Sequence, residues 1–165
     1  ADLAANGRPV IADLSGEPLA AAVAGGATVI KVSHEELLRE GRARDHSVAA
    51  LVSAMFALAA NGQRAVVCSR AEAPTLACFD GRTVEARGPV LEALDSAGAG
   101  DSFTAGMAAA LAHHQPFETA LRLGVAAGGL NVTRRGLGTG ARDEIERLAA
   151  HVQITEIDES KDESG

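Results

Sequence analysis

Asp95-Ser96-Ala97-Gly98-Ala99-Gly100-Asp101-Ser102-Phe103 is a loop of small residues that runs straight into an apolar-periodic segment. Phe103, Met107 and Leu111 recur at four-residue spacing, which predicts a helix from Ser102 to about His113. Gly98 and Gly100 let the chain turn sharply and bring backbone N–H groups close to a ligand. With the open helix N-terminus behind them, those amides form an anion site suited to phosphate. Asp101 stands beside it, where a carboxylate can take a proton from an attacking hydroxyl. An anion nest with a base next to it points to phosphoryl transfer. By shape alone, a Gly-x-Gly before a helix is more often a tight turn, and an aspartate there a cap or dipole partner. The stretch is not a P-loop, since no Gly-Lys-Ser/Thr follows. Gly98, Gly100 and Gly106 also miss the Gly-x-Gly-x-x-Gly spacing of a dinucleotide site.

Outward from this stretch, composition narrows the choices. A chain of 165 residues with 47% hydrophobic content can hold one ordinary core. A formal net charge of −7 argues against nucleic acid as a partner, and the absence of Trp and Tyr leaves little to stack on bases. No run approaches the roughly 18 apolar residues of a membrane span. The first residues lack the basic start and apolar core of a signal peptide, so a cytoplasmic protein is expected. Cys68 and Cys78 lie in apolar, strand-like runs with no zinc spacing and read as buried, reduced thiols. His113-His114 is no metal pair, because adjacent helical residues point apart; His34, His46 and His151 read as scattered surface residues.

Strands and helices alternate along the chain. Ala1–Asn6 with Gly7 reads as the end of a helix, as though the chain were cut from something larger. Strands are predicted at Arg8–Asp13, Thr28–Val32, Arg64–Ser69, Leu76–Phe79 and Thr83–Arg87, the last two joined by an Asp80-Gly81 turn. Between them lie a helix opened by Pro18, one capped by Ser33 with Glu36 in capping-box position, and a clean amphipathic helix over Asp45–Asn61. The stripe of that third helix, including Met55 and Phe56, reads as core. Lys31 reads as a charge leaving its strand. Further helices are expected over Pro116–Leu130 and Ala141–Ala150, separated by a loop at Leu137–Gly140. Residues 155–165 form an acidic, unstructured tail. The pattern argues an α/β layer fold with a largely parallel sheet flanked by helices, plus a β-hairpin.

Asp95 to Gly106 resembles the second signature of the PfkB (ribokinase-like) carbohydrate kinases, Asp-Thr-x-Gly-Ala-Gly-Asp-x-Phe-x-x-Gly. The match holds at Asp95, Gly98, Ala99, Gly100, Asp101, Phe103 and Gly106, with Ser96 for Thr. The resemblance implies that Asp101 is the catalytic base, that Gly98, Ala99 and Gly100 form the anion hole, and that Gly100, Asp101 and Ser69 touch ATP. Ile30–Leu37 is similar to the family's Lys-Pro-Asn-x-x-Glu-Leu segment, which places Glu36 at a water-mediated Mg2+ position, although Ser33 replaces the Asn and Val32 the Pro. Ser69–Pro74 stands where the family carries Ser/Thr-Leu-Gly-x-x-Gly. Ala71 and Ala73 take the place of its glycines, removing freedom to adopt positive φ. Asn131–Gly136 is similar to the family's Val-Thr-x-x-Gly stretch, which with Asp95 lies near a monovalent cation, K+, in some members.

Gly124–Gly128 resembles the 1-phosphofructokinase and tagatose-6-phosphate kinase branch. The resemblance covers residues 1–154 as the C-terminal part of a ribokinase-like three-layer domain. The N-terminal half, which carries most sugar contacts and the β lid, would lie outside it. It implies an ATP-dependent kinase of a sugar, most simply a hexose phosphate, acting as a homodimer or completed by that other half. The competing readings are a non-catalytic nucleotide-binding module derived from such a kinase and, more distantly, a Rossmann-type oxidoreductase.

Overall fold

The computed structural model of the chain describes residues 5–59, 65–134 and 140–157. Its elements are β1 (Ile11–Asp13), α1 (Gly16–Ala24), β2 (Val29–Ser33), α2 (His34–Arg39), α3 (Val48–Ala59), β3 (Ala65–Arg70), β4 (Ala73–Phe79) and β5 (Arg82–Arg87). They continue with α4 (Ala99–Ala112), α5 (Phe117–Val132), α6 (Arg142–Ala149) and β6 (Gln153–Glu156). The strands follow the order β1-β2-β3-β4-β5-β6 in a six-stranded sheet. Two compact units divide the chain, Ala1–Glu85 with Thr155–Gly165, and Ala86–Ile154.

In the first unit β1, β2 and β3 pair in parallel, with Ile11 opposite Val29 and Val29 opposite Ala65. Parallel neighbours need a crossover, and α1, α2 and α3 supply it. β2 is buried along Val29, Ile30, Lys31 and Val32, as expected for a strand covered on both faces. Beyond β3 the connections shrink to two residues, which can join only antiparallel strands. Antiparallel pairing therefore follows the parallel strands: β4 runs antiparallel to β3, and the expected Asp80-Gly81 turn leads into β5 with φ of 49° and 75°. The core gathers Leu19, Ile30, Val32, Leu37, Leu51, Met55, Val66 and Leu76.

Three expectations change here. Phe56 is 41% exposed, because the stripe centred on Leu51, Met55 and Leu58 leaves the next position on the outer face. Lys31 does not leave its strand for water. It is buried, and its Nζ donates to both carboxylate oxygens of Asp13, at 2.9 and 3.1 Å, across the β1–β2 register. The stretch assigned to an acidic tail contributes Thr155 and Glu156 to β6, and Ile157 N–H donates to Thr83 O at 2.8 Å. The expected helix at Ala1–Asn6 lies mostly outside the described residues, as do the Asn61-Gly62 stop and all but Gly140 of the loop at 137–140.

The second unit is built on α4 and α5. Phe103, Met107 and Ala110 of α4 are buried against α5, while Leu111 is only half-buried. Glycine sets their approach. A Cβ on Gly106 would lie 2.7 Å from Leu123 O and 2.9 Å from Ala127 Cβ. One on Gly124 would lie 2.6 Å from Met107 Cγ, and one on Gly128 3.1 Å from Ala99 O.

Candidate active site

The loop before α4 is fixed from several sides. Asp95 Oδ1 accepts from Ala97 N–H at 2.9 Å, an Asx turn that starts the reversal. Gly98 then sits at φ 74°, ψ 6°, a left-handed conformation costly for any residue with a Cβ, and becomes the N-cap of α4. Ser102 N–H closes on Gly98 O at 2.9 Å as the first bond of the helical ladder. The Gly100 and Asp101 amides before it are left as open donors at the positive end of a fourteen-residue helix. Asp101 is exposed in that first turn. Open amides and an exposed carboxylate thus share one turn, which can hold an anion and accept a proton beside it.

No sequence motif assigns Asn131 a role in this loop. Its side chain is 2% exposed, donates from Nδ2 to Ala97 O at 2.7 Å and accepts at Oδ1 from Ser102 Oγ at 3.1 Å. Leu94 and Asp95 also donate their N–H groups to Val132 O, at 2.7 and 3.1 Å. A polar residue in the otherwise small and apolar run of α5 was the only local sign. A cavity of about 960 Å³ between α4, α5 and α6 is lined by Ser102 and Asn131 among mainly apolar residues, and includes neither Asp101 nor Gly98.

The remaining candidates, Ser33, Glu36 and Ser69, belong to the first unit and gather at the C-terminal ends of β2 and β3, the usual ligand side of parallel strands. Ser33 and Glu36 form the capping box read from their spacing: Ser33 N–H donates to Glu36 Oε2 at 2.7 Å, and Glu36 N–H to Ser33 Oγ at 3.2 Å. Ser69 lies at a bulge between Cys68 and Arg70; its Oγ donates to Val32 O at 3.4 Å, and its carbonyl faces His34 Nδ1 at 3.3 Å. The His34 and His46 rings, far apart in sequence, are 5.4 Å apart.

Ala71 overturns an expectation, for it adopts φ 49° although it is not glycine. Residues 71 and 72 form a two-residue turn between β3 and β4. Arg70 holds it, donating from Nε to Pro74 O at 2.5 Å and from Nη2 to Glu85 Oε1 at 2.6 Å. Counted from Ser69, the second glycine of the pattern falls on Pro74 rather than Ala73. Burial pushes the Cys68 thiol up to about 12, so this cysteine is an inert core residue.

Among the described residues no group of three or more His, Cys, Asp or Glu converges to hold a metal. That excludes an all-protein cage within them.

A helix-crossover α/β fold with an anion nest and an adjacent carboxylate defines the class of phosphate-handling α/β proteins. The model of the pfkB family carbohydrate kinases matches residues 1–144. The chain belongs to that family. It is 30% identical over 148 residues to 1-phosphofructokinase of Bacillus subtilis (strain 168), covering 90% of this chain and 48% of that enzyme. It superimposes on phosphofructokinase-2 from Escherichia coli in complex with potassium with a TM-score of 0.77 at 26% identity, over 86% of this chain and 47% of the other. Arabidopsis thaliana ribokinase complexed with ribose and ATP shares the fold, with a TM-score of 0.73 at 23% identity over 87% and 48% of the two chains. The chain spans about half the length of these relatives.

Proposed function

We propose that this chain carries the phosphoryl-transfer half of an ATP-dependent sugar kinase acting on a hexose phosphate, in the cytoplasm. The observation that carries the reading is the first turn of α4, where Asp101 is exposed beside the open Gly100 and Asp101 amides. The 1-phosphofructokinase relative supports a hexose-phosphate acceptor. In the reaction the acceptor hydroxyl oxygen forms a bond to the γ-phosphorus of ATP, the bond from that phosphorus to the β–γ bridging oxygen breaks, and ADP leaves. Asp101 takes the hydroxyl proton. The open Gly100 and Asp101 amides are assigned to the charge on the transferring group, where preorganised donors act most strongly, while the Ala99 N–H of the expected anion hole is taken by Ser96 O at 3.2 Å. Mg2+ would neutralise phosphate charge, with Glu36 holding one of its waters. Ser69 is assigned to the nucleotide, and Asp95, whose Oδ2 is not used by the Asx turn, to a monovalent cation such as K+. Most sugar contacts are assigned to the part of the family's domain that these residues do not match.

The test is ADP release from Mg-ATP with a panel of free and phosphorylated sugars, on this chain and on any longer product of its gene. Asp101→Asn should lower turnover by about 10²-fold or more and leave nucleotide binding intact. Near-normal turnover in Asp101→Asn would remove Asp101 as the base. ATP binding without ADP release, from this chain and from the longer product alike, would make the protein a nucleotide-binding module.

A further inference from the structure

The residue just before the left-handed turn and the residue just after Asp101 hang on one side chain. Asn131 Nδ2 reaches Ala97 O, and its Oδ1 receives Ser102 Oγ. A carbonyl can only accept, so the amide nitrogen must face Ala97, which turns Oδ1 toward Ser102 and makes the serine hydroxyl the donor. The next carbonyl in the chain, that of Val132, accepts from Leu94 and Asp95. The last turn of α5 therefore grips both sides of the segment that contains Gly98, Ala99, Gly100 and Asp101.

We infer that Asn131 is the positioning residue of the anion site. Gly98 and Gly100 make the turn possible, but glycine is permissive and would leave the amides free to sample many directions. Donors stabilise a developing anion best when they need not reorganise. Asn131 supplies the missing constraint through two anchor points on either side of the four residues. Packing does not call for an asparagine there: a buried amide is costly without partners, and both of its hydrogen-bond partners are groups that flank the loop. What the loop binds rests on the kinase reading; the restraint of the loop does not.

The experiment uses the full 165-residue chain, with backbone amide NMR order parameters at Gly98, Gly100 and Asp101 and titration with inorganic pyrophosphate. Asn131→Ala should lower the order parameters at these three amides and weaken pyrophosphate about tenfold or more, while the amide spectrum of β2 and β3 stays in place. Ser102→Ala removes one anchor and should do less, and Ser102→Ala added to Asn131→Ala should add little, since both act on one network. Asn131→Asp turns an acceptor toward Ala97 O and should be worse than Asn131→Ala. Wild-type order parameters and pyrophosphate affinity in Asn131→Ala would overturn the inference. If Asn131→Ala does not fold, Ser102→Ala decides it, and unchanged loop order there would overturn it. If the wild-type chain binds no pyrophosphate, the phosphate reading fails, and the order parameters alone judge the restraint.

Discussion

Two regions bear the resemblance to sugar kinases, and they treat their polar groups in opposite ways. Around α4 the loop is held from outside, by Asn131 and by Val132 O, so the Gly100 and Asp101 amides and the Asp101 carboxylate stay available. At the ends of β2 and β3 the polar groups satisfy one another. Glu36 answers the Ser33 N–H, Arg70 answers Pro74 O and Glu85, and Ser69 answers Val32 O. A restraint that comes from a neighbouring helix leaves a loop free to bind, whereas one built from the loop's own side chains occupies them. The first region keeps the family's pattern nearly residue for residue; the second keeps Glu36 and Ser69 but replaces the Asn, the Pro and both glycines.

Apart from Asp101 itself, the largest effect should come from Gly106. A Cβ there meets backbone at Leu123 O, 2.7 Å away, which cannot rotate aside as a side-chain end can. Gly106→Ala should cost about 1–3 kcal/mol by overpacking. By separating α4 from α5 it should also loosen the grip of Asn131 on the loop. Denaturant unfolding reads the first and NMR order at Gly98 and Gly100 the second. A stable Gly106→Ala variant with an intact loop would show that the site does not depend on close helix approach.

The contrast also marks what was legible in the sequence. The anion loop is contiguous, and its glycines, aspartates and following apolar period are local facts, so its place and chemistry could be read directly. The capping box was legible for the same reason. Asn131 was not, because its partners lie 29 and 34 positions away and no spacing rule links them. Lys31 looked like a strand-end charge until Asp13 arrived from β1, and His34 and His46 looked scattered until the fold brought their rings together. β6 was missed because a four-residue strand with exposed Gln153, Thr155 and Glu156 carries almost no hydrophobic signal.

Glu36 probes whether the second region has given up function for structure. Glutamine can still accept the Ser33 N–H, so Glu36→Gln should keep the capping box and change stability by less than about 1 kcal/mol. If the carboxylate also holds a water of Mg2+, the Mg2+ concentration needed for half-maximal ADP release should rise several-fold at unchanged melting temperature. An unchanged Mg2+ requirement would leave Glu36 with the cap alone, and the contrast between the two regions would be complete.

The smallest effect tests the same contrast at the backbone. Ala71 holds φ 49° in the turn between β3 and β4, where a Cβ costs roughly 1 kcal/mol that glycine would not incur. Glycine gives back part of that by loosening the unfolded chain, so Ala71→Gly should stabilise the protein by at most about 1 kcal/mol. The sign matters more than the size. Gly98 holds a similar backbone conformation, and there the glycine is present. If Ala71→Gly stabilises the fold without changing nucleotide affinity, the β3–β4 turn is a structural hairpin that holds a glycine-favouring backbone conformation without a glycine. A gain in nucleotide affinity instead would mean that the turn still faces the ligand and that its replaced glycines limit binding.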